Sequence, residues 1–235
     1  MACQQKKSLA VVISNGPAIN PGRSSEHLGF CAVARRHGFK NVTFFDLLPF
    51  TEYFARRNAY QESFKIDLPL IEEYYAGFPI QYNRLLGSLN DLCSSDALLF
   101  WSGWLHTPQL YEHYRTALVE MAFAPDDAAA VEIIDCHLYL GKENDAIFNR
   151  TVAFGETILN NTISRDISSA YGAAYQRFYK RTKYVYMRDI VSAQKISSLK
   201  SDHRSVYLGA DCATLLTRGD VDRLPGNASE DEVAF

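Results

Sequence analysis

Short apolar stretches rich in β-branched and aromatic residues alternate along this chain with longer amphipathic ones, and that alternation constrains the fold most. Leu9–Ser14 (LAVVIS) reads as a buried strand closed by Asn15-Gly16-Pro17. A turn-rich loop follows, then a helix beginning near Ser24 or Ser25, with Leu28, Cys31, Ala32 and Arg35 at helical spacing and Gly38 as its stop. Val42–Asp46 is the next strand. Leu68–Cys93 reads as mostly helical, broken at Gly77 and Pro79. Ala97–Trp101 is a third strand, and Pro108 suits the first position of a helix reaching Phe123. Beyond it the pattern predicts strands at Val131–Leu140, Thr151–Phe154, Tyr184–Met187 and Ser205–Leu208, with helices at Ile167–Arg181 and Ser192–Leu199. Parallel strands need crossover helices, so this order predicts an α/β fold: a parallel sheet with helices on both faces.

The 235 residues suit one large domain, which we place at residues 1–216. Residues 217–235, with Asp220, Asp222, Pro225, Gly226, Asn227 and a Glu-Asp-Glu run, read as a linker-like or frayed tail. A 47% hydrophobic, 22% charged composition excludes a disordered or collagen-like chain. With 24 basic against 27 acidic residues there is no strongly basic face of the kind that binds nucleic acid. Cys3, Cys31, Cys93, Cys136 and Cys212 are widely spaced and odd in number, with no C-x-x-C metal or redox spacing; they read as reduced thiols of a cytoplasmic protein. The N-terminal apolar stretch is too short for a transmembrane segment.

Ligands of open parallel sheets bind outside the carboxyl ends of the strands, which directs attention to four loops. The first holds Asn20, Gly22, Arg23, Ser24, Ser25 and His27 before a helix; its glycine and free N–H groups favour an anion, and Arg23 adds a charged donor. It is neither a P-loop nor a G-x-G-x-x-G loop, and capping serines at a plain strand–helix turn explain it equally well. The second is Trp101–His106, where Gly103 permits close approach and Trp104 and His106 offer a stacking face and a donor for a sugar or ring; aromatic packing under a helix is the alternative. The third, Phe154-Gly155-Glu156-Thr157, is a weak signal. The fourth runs from a strand into Arg188-Asp189, with Ser192 three residues on. Asp189 or Ser192 can cap the next helix while Arg188 presents a planar fork to carboxylate or phosphate, or pairs with a neighbouring acid. Cys136 and His137, adjacent on an expected strand, point apart and are not read as a catalytic pair. There is no nucleophile elbow and no H-E-x-x-H motif.

Arg188-Asp189-Ile-Val-Ser192, followed by Asp211-Cys-Ala213-Thr-Leu-Leu216, resembles the R-D-x-x-S and D-x-A-x-L-L-like segments of the polysaccharide pyruvyltransferase family. Asp96–Gly103 stands where that family has an Asp-led strand and a Gly-rich turn, and Asn20-Pro-Gly22-Arg23 partly matches its N-x-G-D turn, with Arg23 in place of the acid. The resemblance spans most of residues 9–216. It implies a Rossmann-like domain equivalent to one half of a GT-B enzyme, and hence a truncated product, one half of a split enzyme, or a reduced relative. It also implies transfer of pyruvate from phosphoenolpyruvate to a glycan hydroxyl as a ketal, in cell-envelope exopolysaccharide synthesis, with no metal or cofactor.

On this resemblance Arg188 and His106 are the candidate catalytic residues. Arg188 meets the anionic donor and His106 lies with Trp104 on the acceptor side. Asn20, Gly22, Arg23, Gly103, Trp104, Asp189, Ser192 and Asp211 are the candidate substrate-binding residues. The implied partners are a glycan or glycolipid acceptor and a second domain from another chain or a homodimer. Two other readings compete. The first half, Leu9–Pro17 and Val42–Pro49, is similar to flavodoxin-like FMN reductases, which would bind FMN; the third reading is a non-catalytic Rossmann-like interaction module.

Overall fold

The computed structural model describes residues 8–13, 21–39, 41–46, 80–84, 88–101, 105–141, 143, 145–158, 169–201 and 205–221. Among these residues seven strands form one sheet, and all six neighbouring pairs are parallel. They are β1 (Ser8–Ile13), β2 (Asn41–Asp46), β3 (Ile80–Arg84), β4 (Ala97–Trp101), β5 (Thr151–Glu156), β6 (Tyr184–Met187) and β7 (Val206–Leu208). Their order, β3-β2-β1-β4-β5-β6-β7, reverses between β1 and β4, as in a Rossmann-like doubly wound sheet. The edge strand β3 lies outside β2, a strand that the five-stranded flavodoxin order lacks.

The helices are α1 (Pro21–Arg36), α2 (Leu89–Ser94), α3 (Pro108–Glu120), α4 (Asp127–Leu138), α5 (Asp145–Phe148), α6 (Ser169–Arg181), α7 (Ile190–Leu199) and α8 (Arg218–Val221). Alternation along the strands sorts the core into two layers. Ala10, Val12, Leu98, Phe100 and Ala153 face residues of α3, α4, α6 and α7, while Leu9, Val11, Ile13, Val42, Phe44 and Trp101 face α1 and Cys212. A strand covered on both faces must be apolar throughout, which accounts for the unbroken LAVVI run of β1.

Local chemistry sets the helix starts. Thr107 accepts from Leu110 N (3.2 Å) with Pro108 in the first turn, and Asp126 accepts from Ala129 N (2.9 Å). The second cap overturns the strand expected at 131–140. Asp126 nucleates α4, which buries Ala130, Ile134, His137 and Leu138 at helical spacing despite its β-branched residues. Cys136 and His137 are therefore helical neighbours. The helix expected across 68–93 is replaced at its described end by strand β3 and the short α2. Helix α1 begins at Pro21, so Gly22 and Arg23 belong to its first turn and not to a free loop. Past residue 216, Thr217 N and Oγ1 both donate to Asp220 Oδ2 (2.9 and 2.6 Å) at α8, and Asp220 lies 3.7 Å from Arg36. None of the helices among the described residues is long and apolar enough to cross a membrane.

Candidate functional site

Two polar assemblies occupy the carboxyl edge of the sheet, one at its surface and one beneath. The surface assembly joins the ends of β5, β6 and β7. Arg188 follows β6, and its backbone N donates to Glu156 O (2.8 Å). Its Nη2 pairs with Asp211 Oδ2 at 2.8 Å, with side chains 40% and 27% exposed. Among the described residues the other guanidinium nitrogens of Arg188 have no hydrogen-bond partner. Asp189 caps α7: Oδ1 accepts from Ser192 N (2.8 Å), and Oδ2 accepts from Ser192 Oγ (2.7 Å) and Thr157 Oγ1 (2.8 Å). Ile158 N donates to Ser192 Oγ (2.7 Å), which ties the end of β5 to the same cap. Burial opposes charge on Asp189, but the bonds from Ser192, Thr157 and Val191 prevail and hold its carboxyl below the ordinary range.

The buried assembly depends on an irregularity in β5. Phe154 and Glu156 oppose consecutive residues Tyr186 and Met187, and Gly155 takes up the extra residue at φ +76°. Strict alternation would put Glu156 on the same face as Phe154, against α1. The bulge turns it to the opposite face, where it meets His106. Glu156 Oε1 and Oε2 lie 3.0 and 2.8 Å from His106 Nδ1, and Tyr179 Oη donates to Oε2. His106 Nε2 lies 2.7 Å from Leu138 O at the end of α4; facing a carbonyl, it carries a proton. Tyr171 Oη donates to His106 O (3.1 Å). Phe100, Tyr139 and Phe178 rings enclose the imidazole.

His106 is read from sequence as a donor to substrate, and here the structure corrects the expectation. Its side chain is fully buried and both ring nitrogens are engaged within the protein, so it presents nothing to a ligand. Arg188, Asp189, Ser192 and Asp211 do meet at one edge, with Arg188 in the acid-paired form anticipated as its alternative. Gly22 and Arg23 lie on α1, whereas Asn20, Gly103 and Trp104 lie outside the described residues. Trp101 stacks on Phe154 and donates from Nε1 to Glu26 O (3.0 Å), which fastens α1 to the end of β4.

Sequence reasoning marked Gly155-Glu156-Thr157 only as a weak signal and gave Glu156 and Thr157 no role, and it missed Tyr171 and Tyr179. The glycine followed by two polar residues at the end of β5 is the signal that marks the bulge. Cys212, also unassigned from sequence, sits against Gly155. Burial, then Glu26 and Asp211, push its thiol up, so it stays protonated and is a poor nucleophile. Among the described residues no group of three or more His, Cys, Asp or Glu could hold a metal ion. No family model matches the sequence, and searches of curated proteins and solved structures found no significant match.

Proposed function

We propose that this chain is a pyruvyltransferase-like protein that binds phosphoenolpyruvate at the carboxyl edge of its sheet, with Arg188 as the cationic contact. The reaction joins two hydroxyls of one sugar residue to C2 of the donor. Two C–O bonds form, the donor's C2–O bond to phosphate breaks, one proton goes to C3, and the other leaves with phosphate. Such a donor carries carboxylate and phosphate charge that must be matched as the C–O bond to phosphate breaks, which a guanidinium fork does through several N–H groups at once.

The observation that carries this reading is the half-exposed Arg188, whose position is fixed while part of its fork stays open. Its backbone is tied to β5 through Glu156 O, and the next residue, Asp189, is locked by Ser192 and Thr157. A rigid backbone beneath an accessible charged head is what anion recognition at a strand end requires. Asp189 and Ser192 act as orienting groups in this reading, since their oxygens are occupied by the cap.

Calorimetric titration of phosphoenolpyruvate into the full chain tests it. Saturable binding that weakens about tenfold or more in Arg188→Ala is expected, a loss typical of a charge-assisted contact. Absence of binding at millimolar ligand, or equal binding by the variant, would remove the donor assignment. An FMN titration run alongside separates the flavodoxin-like alternative.

A further inference from the structure

We propose that Asp211 is an internal competitor for the anion seat on Arg188, setting how tightly a donor is held and re-engaging the guanidinium when product leaves. This rests on the donor reading of Arg188. The Arg188 Nη2–Asp211 Oδ2 pair at 2.8 Å occupies one nitrogen of the fork with a carboxylate, the same chemical group that a pyruvyl donor offers. Both partners are part-exposed, so an incoming anion reaches the pair from solvent, and an ion pair in that setting is weak enough to exchange.

The surrounding backbone confines the exchange to the side chain. Asp211 O accepts from Thr214 N (3.0 Å) and Thr214 Oγ1 (2.6 Å), closing a turn. Cys212, the next residue, is wedged between two glycines. A Cβ on Gly29 of α1 would overlap Cys212 O, and one on Gly155 of β5 would overlap Cys212 Sγ. With Cys212 packed closely against α1 and β5, the exchange is assigned to the Asp211 carboxylate, which turns about its side-chain bonds. Wherever it swings it stays near the seat, so its repulsion grows with ligand charge: it disfavours phosphoenolpyruvate and phosphate more than pyruvate.

Titration of phosphoenolpyruvate, inorganic phosphate and pyruvate into wild-type and Asp211→Asn protein tests this. The variant is expected to bind phosphoenolpyruvate and phosphate about fivefold more tightly, with a smaller gain for pyruvate. If the wild type binds phosphoenolpyruvate and the variant binds it equally or more weakly, the competitor role is overturned while the donor reading stands. Binding by the variant alone supports the competitor role and overturns phosphoenolpyruvate as the native donor. Binding by neither overturns both. Should Asp211→Asn fail to fold, arginine side-chain NMR of the wild type gives the same decision. Phosphate must shift the Arg188 Nε–H signal while backbone amides of residues 212–215 hold still; an unmoved Arg188 signal overturns the proposal.

Discussion

His106 Nδ1 lies 2.8 Å from Glu156 Oε2, fifty residues away in sequence, and neither side chain reaches solvent to any useful extent. The contact joins the segment after β4 to the bulged end of β5. Through His106 Nε2 and Leu138 O it also ties in the end of α4, and through Tyr179 it ties in α6. Arg188 N donates to Glu156 O, so one backbone hydrogen bond links the buried pair to the surface cluster. The imidazole thus serves the candidate site by holding the strand ends in place.

Breaking this pair from one side leaves a buried group uncompensated. His106→Leu is expected to cost about 3–5 kcal/mol, because among the described residues Glu156 then keeps only Tyr179 as a side-chain partner in a low-dielectric layer. Replacing both residues, His106→Leu with Glu156→Leu, recovers much of that loss, since an apolar pair of similar volume suits the surrounding rings. Urea unfolding of the three variants checks this. A single substitution costing under about 1 kcal/mol would show that the network contributes little.

Two tyrosines on the same layer are expected to behave oppositely. Tyr179 donates to Glu156, so Tyr179→Phe removes a charge-assisted bond and costs about 1.5–3 kcal/mol. Tyr139 is fully buried, and its hydroxyl has no hydrogen-bond partner among the described residues. Tyr139→Phe therefore leaves stability unchanged or raises it by about 1 kcal/mol, by sparing the desolvation of that hydroxyl. Thermal unfolding of both variants decides it, and equal losses would count against the assigned network.

Gly155 and Gly172 offer a matched comparison of backbone and space. At Gly155 a side chain meets both a φ of +76° and Cys212 Sγ, so Gly155→Ala is expected to cost about 2–4 kcal/mol and to disturb the end of β5. Gly172 lies within α6 with nothing near its missing Cβ, so Gly172→Ala stabilises by about 0.5–1 kcal/mol. Paired melting curves read the two directly. Similar shifts in both would mean that the bulge relaxes freely.

Much of the sheet was legible in sequence because a strand buried on both faces has to be apolar throughout, and β1 and β4 announce themselves that way, whereas the polar β3 (IQYNR) fell within a stretch read as helical. Helix α4 was not, since Val131, Ile133 and Ile134 mimic a strand and the deciding signal, the Asp126 cap, lies five residues upstream of the expected start. At the site, Arg188, Asp189 and Ser192 were legible because strand end, charge and cap are contiguous. Asp211 arrived through a family resemblance, and its contact with Arg188 depends on the β6–β7 pairing. The role of Glu156 was hidden for a different reason: an acidic residue at a strand end ordinarily faces water, and only the bulge at Gly155 turns this one inward.

His137 supplies a pH dependence whose sign follows from its surroundings. Burial pushes its pKa below the ordinary 6.5, and the bond from Nδ1 to Ile133 O (2.8 Å) only partly offsets this. Nε2 is buried and has no partner among the described residues, so a second proton there goes unsatisfied. The folded chain therefore takes up that proton less readily than the unfolded chain does. Stability from this residue is fully present above the unfolded value of 6.5, and is lost as pH falls from there through the depressed folded value. Melting temperatures recorded between about pH 7.5 and 5 are expected to fall more steeply for the wild type than for His137→Leu, which has nothing to protonate at that position. Parallel curves would mean that the imidazole finds a proton acceptor in solution that the structure does not give it.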